Sequence, residues 1–391
     1  MARAAEAPFV LLVESACETA RERALLFRSP VRIIQCREPQ AVAACLSLAE
    51  AAVAAGHYLA GFLAYEAGYG LHDKLSSLAG RTPSEHVLWL GVFERVEELQ
   101  GEAVGALLAD LAGPSRARIS NLSFDRSRAE YAADFARIQE YLQAGESYQV
   151  CHSLRARFGC SGSPAALFQR LRAEQLTPYS ALIETGEYSL LSLSPELFFR
   201  KTQGVVELKP MKGTAASGHD AAEDAHIAAA LQLDPKTRAE NVMIVDLLRN
   251  DIGRLAAAGS VRVPQLFSVE RFDRVLQMTS TILADVDPSL GLRSLMQALF
   301  PSGSVTGAPK LRTQHIIHEL ETTPRGIFCG SIGYVTPDND MCFNVAIRSL
   351  RLDRQGQGVL GIGSGVVLDS TSDAEYDECL LKARFLAAAA D

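Results

Sequence analysis

Short strand-like runs recur in adjacent groups after residue 145, with helical runs inserted between the groups, and this limits the fold more than any other feature. Residues 188–193, 197–201 and 205–208 form one group, and 326–336, 344–352 and 359–368 another. A fold that alternated strand and helix would part each strand from the next by a helix. The grouping favours an α+β class, with mostly antiparallel sheets sandwiched with helices.

A helix opens this region. Asp125 or Ser127 can cap it, Tyr131, Phe135, Ile138 and Leu142 recur at spacings of four, three and four, and Gly145 supplies a left-handed stop. An extended run then reaches residue 157. Helical patterning returns at 240–255, 308–321 and 374–388. The first 120 residues read as a separate N-terminal layer, with strands at 9–13 and 56–65, a helix at 41–55 and a connection at 113–121. The dense motifs assign a catalytic region to 125–386.

Composition removes several functions. A net charge of −8 disfavours nucleic-acid binding, which needs clustered Lys and Arg. No apolar run is long enough to span a bilayer, and residues 1–8 lack the apolar core of a secretory signal. The cysteines at 17, 36, 45, 151, 160, 329, 342 and 379 include no C-x-x-C pair, so reduced thiols in a cytoplasmic protein are expected rather than zinc or a disulfide scaffold.

Each candidate site residue has a plain structural reading beside the functional one. Lys212, in Pro210-Met211-Lys212-Gly213-Thr214, is either a surface lysine in a turn or a desolvated nucleophile beside a glycine that admits substrate. Glu375 and Glu378 share a helix face, as a solvated pair or as oxygen ligands for Mg2+. Lys382, four residues on, suits an ordinary ion pair with Glu378. Glu240 reads as a first-turn acid favoured by the helix dipole. Gly361-Ile362-Gly363-Ser364-Gly365 leads into strand-like residues, so it is no dinucleotide loop, and close approach of its backbone to a carboxylate suits it better. Residues 302–310 miss the phosphate-loop pattern, although Pro309 at a helix start leaves N–H groups free. Arg348, placed in a strand, fits a buried ion pair or a bidentate carboxylate clamp.

Together the segments Ser194-Pro195-Glu196, 210–214, 239–251, 302–310, 330–334, 346–349, 361–365 and 375–382 resemble the chorismate-utilizing family, in family order. That family holds component I of anthranilate synthase and of aminodeoxychorismate synthase, with isochorismate and salicylate synthases. The resemblance implies the large component I fold. Gln149 stands where the isochorismate and salicylate branches carry a water-activating lysine, and Lys212 stands where anthranilate synthases carry alanine. By that resemblance Gln149 implies the aminating branch, and Lys212 narrows it to formation of 4-amino-4-deoxychorismate for 4-aminobenzoate and folate.

By that resemblance Glu240 and Glu378 ligate Mg2+, with Glu375 acting through water, and Glu196 is the general acid at the C4 hydroxyl. Lys212 attacks C2, and ammonia then enters at C4. Gly213, Thr214, Thr306, Phe328, Arg348, Gly363, Ser364, Gly365 and Lys382 would hold the substrate. Gln277 replaces a histidine tied to later steps on pyruvate, and Phe328 replaces a tyrosine. Residues 11–15, ending at Ser15, resemble the segment that forms a tryptophan pocket with Pro178, Tyr179 and Ser180 in relatives. No Gly-x-Cys-x-Gly elbow is present, so ammonia is expected from a separate glutaminase subunit, and pyruvate release from a pyridoxal-phosphate lyase. The competing readings are an anthranilate-type or 2-amino-2-deoxyisochorismate synthase, an inactive amino-acid-binding regulatory subunit, and pyridoxal-phosphate chemistry on Lys212.

Overall fold

The computed structural model describes residues 7–16, 21–272 and 275–388; Cys17 lies outside them. Two ten-stranded sheets form among these residues, and the strands in both pair antiparallel. The α+β expectation holds. The first sheet runs Gly307–Ala308, Gln149–Ser161, Gln357–Val366, Ser349–Asp353, Tyr188–Ser194, Tyr179–Glu184, Phe9–Ala16, Arg21–Arg28, Glu97–Gln100, and its tenth strand, Arg118–Phe124, pairs with Gln149–Ser161 off this path. The second runs Met211–Ala216, Val275–Asp285, Val205–Lys209, Leu197–Thr202, Met341–Ala346, Gly330–Val335, Tyr58–Leu63, Leu88–Phe93, Arg32–Cys36, and its tenth strand, Arg262–Phe272, pairs with Val275–Asp285 off this path.

Alternation along the strands explains the layering. Val10, Leu12 and Phe27 of the first sheet meet Phe62, Trp89, Phe93 and Ile332 of the second in one buried cluster. Each buried phenylalanine there contributes roughly 1.5–3 kcal/mol. The residues between them, Leu11, Val13 and Leu26, turn outward onto the helices Glu102–Ala112, Pro164–Glu174 and Ser372–Lys382. The outer face of the second sheet packs on Val42–Ala54, Pro235–Gly253 and Leu292–Leu299. Helix, sheet, sheet and helix stack in that order.

Four expectations need correction. The N-terminal strands form no layer of their own: Phe9–Ala16 adds to Tyr179–Glu184 in one sheet, and Tyr58–Leu63 adds to Gly330–Val335 in the other. The expected connection at 113–121 contains much of the strand Arg118–Phe124, which pairs with Gln149–Ser161. The run at 344–352 is two strands in different sheets, Met341–Ala346 and Ser349–Asp353, so Arg348 lies in the crossover, with φ 51°. The closing helix is two helices, Ser372–Lys382 and Arg384–Ala388.

The helix expected after residue 125 is Arg128–Gln143, and Ser127 caps it. Ser127 Oγ accepts from Glu130 N at 3.3 Å while Glu130 accepts from Ser127 N at 2.8 Å. Asp125 instead accepts from Arg155 N at 2.6 Å. Among the described residues no helix is long and apolar enough to cross a membrane.

Candidate active site

A bulge aims Lys212. Lys212 pairs with Met278 and Thr214 with Gln277, so Gly213 is the extra residue. Gly213 has φ 73°, and a Cβ there would stand 2.3 Å from Thr237 Cγ2, so a side chain is excluded on both counts. Lys212 Nζ donates to Gln149 Oε1 at 3.5 Å, and the fully buried Gln149 leaves its Nε2 without a partner. A Cβ on Gly365 would lie 3.6 Å from that Nζ, which is how closely the strand Gln357–Val366 brings bare backbone to the amine.

Glu196 stands within the field of the same amine. It is buried, and Ser304 Oγ donates to its Oε1 at 2.6 Å. Burial pushes its pKa up to about 7, against the opposing pull of the Ser304 hydrogen bond and the Lys212 charge. A carboxyl so poised can hold and release a proton near neutral pH.

Glu240 lies in the field of the same amine and of two further acids. Asp234 caps Pro235–Gly253, which puts Glu240 past the first turn, so the dipole reading of that residue does not apply. Burial raises the Glu240 pKa, Lys212 and Lys236 oppose it, and Glu375 and Glu378 push the same way as burial. Glu375 and Glu378 therefore lie within electrostatic range of Glu240. Glu375 accepts from Ser370 Oγ at 2.7 Å. Glu378 pairs with Lys382 at 2.6 Å, and Lys382 Nζ donates to Gly363 O at 2.8 Å. Among the described residues no three His, Cys, Asp or Glu side chains form a ready chelating group. An all-oxygen set of this kind fits a hard cation held by one or two carboxylates, with water and substrate filling its shell.

Arg348 lines a cavity of about 120 Å³ with Gln175, Thr177, Pro195 and Gln277. Burial lowers its pKa to about 10, and among the described residues its guanidinium has no ion-pair or hydrogen-bond partner. The Oε1 atoms of Gln175 and Gln277 are likewise buried without a donor. This cavity adjoins the lysine, since Pro195 precedes Glu196 and Gln277 pairs with Thr214.

Other expected site residues turn elsewhere. Ser364 points to the far face, where its Oγ meets Tyr131 OH at 3.0 Å, so only its backbone can serve the site. Thr306 Oγ1 donates to Ser302 O at 2.9 Å, and Thr214 is exposed. Phe328 packs on Gly361, whose Cβ position lies 2.2 Å from Phe328 Cγ, and borders a second cavity of about 290 Å³.

A family model described as chorismate binding enzyme matches residues 12–388. The chain belongs to the chorismate-binding enzyme family. Aminodeoxychorismate synthase component 1 of Klebsiella aerogenes is 44% identical over 252 residues, 64% of this chain and 56% of that one. Its namesake in Escherichia coli K12 is 42% identical over 259 residues, 66% and 57% of the two chains. The chain thus spans little more than half the length of these relatives. Anthranilate synthase component 1 of Thermus thermophilus is 37% identical over 307 residues, 78% of this chain and 65% of that one. The solved structure of anthranilate synthase component I from Streptococcus pneumoniae TIGR4 shares the fold, with a TM-score of 0.79 and 24% identity over 93% of this chain and 91% of that one.

Within this chorismate-binding enzyme, Ser15 and the segment Pro178–Ser180 do come together. Ser15 N donates to Pro178 O at 3.0 Å, and Val13 and Glu14 lie opposite Ser180 and Tyr179. The Ser15 hydroxyl, however, is engaged by Glu22 at 3.2 Å and Arg172 at 3.4 Å, on the helix side of the sheet. Lys310 turns inward and pairs with Asp251 at 2.6 Å, so it braces the start of Lys310–Leu320. Sequence reasoning missed Ser304, the partner of Glu196, because no spacing rule links residues so far apart.

Proposed function

We propose that the chain aminates chorismate to 4-amino-4-deoxychorismate, using ammonia from a separate glutaminase subunit. The observation that carries this is the amine of Lys212, set between Gln149 and the backbone of Gly365 and within the field of the buried acid Glu196. The relatives named aminodeoxychorismate synthase component 1 support it.

In this reading Glu196, about half protonated near pH 7, gives its proton to the departing C4 hydroxyl, which leaves as water. Lys212 attacks C2, both ring double bonds shift by one position to C6=C1 and C4=C5, and the C4–O bond breaks. Ammonia then attacks C4, both double bonds shift back, and Lys212 leaves as the free amine. Two displacements deliver nitrogen para to the ring carboxylate. Gln149 holds Lys212 on line through both. Arg348, with no acid beside it among the described residues, is free to clamp a substrate carboxylate. The backbone of Gly363 and Gly365 admits the ring closely, and Lys382 fixes Glu378. A Mg2+ ion on Glu240 and Glu378, with Glu375 through water, would neutralise the ring carboxylate. A cytoplasmic setting suits the described cysteines, all of which are free.

Product analysis tests the proposal. Chorismate, Mg2+ and ammonium should give 4-amino-4-deoxychorismate, and 4-aminobenzoate once a pyridoxal-phosphate lyase is added. An ortho-aminated product, or none, would overturn it.

A further inference from the structure

The inner face of the first sheet changes character along one row. Phe27, Val10, Ile183 and Leu190 lie opposite one another on adjacent strands and fill the gap between the sheets. The same row continues through Arg351, opposite Leu190, to Val359 and then to Arg157. Directly opposed residues share a face, so two arginines stand where the pattern of the core calls for apolar side chains. Their strands are separated by a single strand, and their backbones by roughly 9–10 Å.

Both arginines and Val359 line the cavity of about 290 Å³ that Phe328 borders. Phe62 of the second sheet and Tyr188 of the first line it too. The Tyr188 hydroxyl accepts from His86 N at 3.2 Å, which fixes that ring. Four arginines in all line the hollow, against one acid, Glu85. Two of the four are engaged behind its wall. Arg155 donates to Pro324 O at 3.1 Å and reaches Glu321 at 3.5 Å, and Arg325 pairs with Glu321 at 2.6 Å and donates to Val305 O at 2.9 Å. Arg351 pairs with Glu85 at 2.9 Å. Arg157 is exposed, and among the described residues no hydrogen bond or ion pair engages it.

A single exposed arginine needs no explanation. A second arginine in the same row, an apolar residue between the two and aromatic rings around one preformed hollow form a more specific arrangement. We propose that this cavity is a second ligand site, apart from the catalytic one, that takes a small aromatic carboxylate. None of Gln149, Glu196, Lys212 and Arg348 lines it. Its volume lies at the lower end of the range for small-molecule pockets, roughly 300–1,000 Å³, which suits a one-ring molecule. The ring packs between Val359 and Phe62, and the carboxylate meets the fork of Arg157 with Arg351 alongside.

The test does not depend on the amination reading. Trp89 is the only tryptophan in the chain, and it stacks on Phe62 at a centroid distance of 6.4 Å, so its emission reports on the cavity. Purified full-length chain is titrated with benzoate while the indole is excited at the red edge of its absorption. The expected result is a saturable change in emission, with benzamide and inorganic phosphate binding at least about tenfold more weakly. Arg157→Gln should weaken benzoate by about ten- to a hundredfold. Val359→Glu sets a carboxylate between the two arginines and should abolish the response. Arg348→Gln, in the other cavity, should leave it unchanged. Thermal midpoints check that each variant folds, and the exposed Arg157 decides the matter should Val359→Glu fail to. No saturable response, or one that survives Arg157→Gln undiminished, overturns the proposal. Loss of the response in Arg348→Gln also overturns it, by placing benzoate in the catalytic cavity. Benzamide or phosphate binding as well as benzoate would overturn the ligand class.

Discussion

Ser304 Oγ donates to Glu196 Oε1 at 2.6 Å, and this one contact helps set the pH range in which the acid can work. Burial places the Glu196 pKa at about 7, and the hydrogen bond, which favours the charged form, pulls against burial. Activity that needs the neutral acid should fall as pH rises through about 7. Ser304→Ala removes a donor to the carboxylate, so the pKa goes up and the alkaline limb of kcat/KM moves to higher pH. Glu196→Gln should cost about 10²–10⁴-fold in kcat. An alkaline limb unmoved in Ser304→Ala would separate Glu196 from the observed titration.

In the proposed mechanism Lys212 would carry the regiochemistry. Lys212→Ala should sharply reduce the para product, and the space it empties should shift residual product toward the ortho isomer. Wild-type protein given chorismate without ammonia should retain a covalent adduct on the peptide containing Lys212. Product chromatography and peptide mass spectrometry read these outcomes, and a variant with wild-type rate and para product would remove the lysine from the mechanism.

The carboxylates Glu240, Glu375 and Glu378 should make turnover depend on Mg2+, with Ca2+ a poor substitute because it prefers larger, looser shells. Glu240→Gln and Glu378→Gln should lose turnover with little change in the thermal midpoint. Full activity in excess chelator would remove the metal from this site.

The nitrogen source is separable from the chemistry. Purified chain should use ammonium salts and ignore glutamine until a cognate glutaminase is added. Glutamine-dependent amination by the chain alone would contradict the two-subunit reading.

A buried ion network behind the site should dominate stability. Glu321 takes Arg325 Nη2 at 2.6 Å and Arg155 Nη2 at 3.5 Å. Burial raises the Glu321 pKa, but these two arginines outweigh it and hold the carboxyl at about 2. Glu321→Ala leaves two buried cations unpaired and should cost about 3–5 kcal/mol in denaturant melts. The depressed pKa means that the wild-type contribution is present above the unfolded carboxylate value of about 4.3 and is lost as pH falls toward about 2.

Local rules carried the reading where structure is local. The helix Arg128–Gln143 was legible because its apolar spacing, capping serine and closing glycine agree, and Gly361–Gly365 read as extended because no helix follows it directly. Long-range placement was not legible. Val345, Ala346 and Ile347 continue an extended pattern into Ser349–Asp353, so nothing in the letters shows the chain changing sheets at Arg348. The N-terminal strands looked self-contained because a strand's pattern shows that one face is buried, not which strand lies beside it. The identities of Lys212, Glu196 and Glu240 were accessible through resemblance. Their neighbour Ser304 was not, because it meets Glu196 only through the tertiary fold.

The pairings of Phe9–Ala16 with Tyr179–Glu184 and of Tyr58–Leu63 with Gly330–Val335 bear on how small such an enzyme can be made. A fragment begun after residue 120 would carry every residue assigned to chemistry, yet it would present two raw strand rims with unsatisfied N–H and C=O groups. Beside each rim, half of the apolar filling around Phe62 and Trp89 would be missing. Such rims recruit strands from other copies, so the excised catalytic stretch should polymerise rather than work as a miniature catalyst.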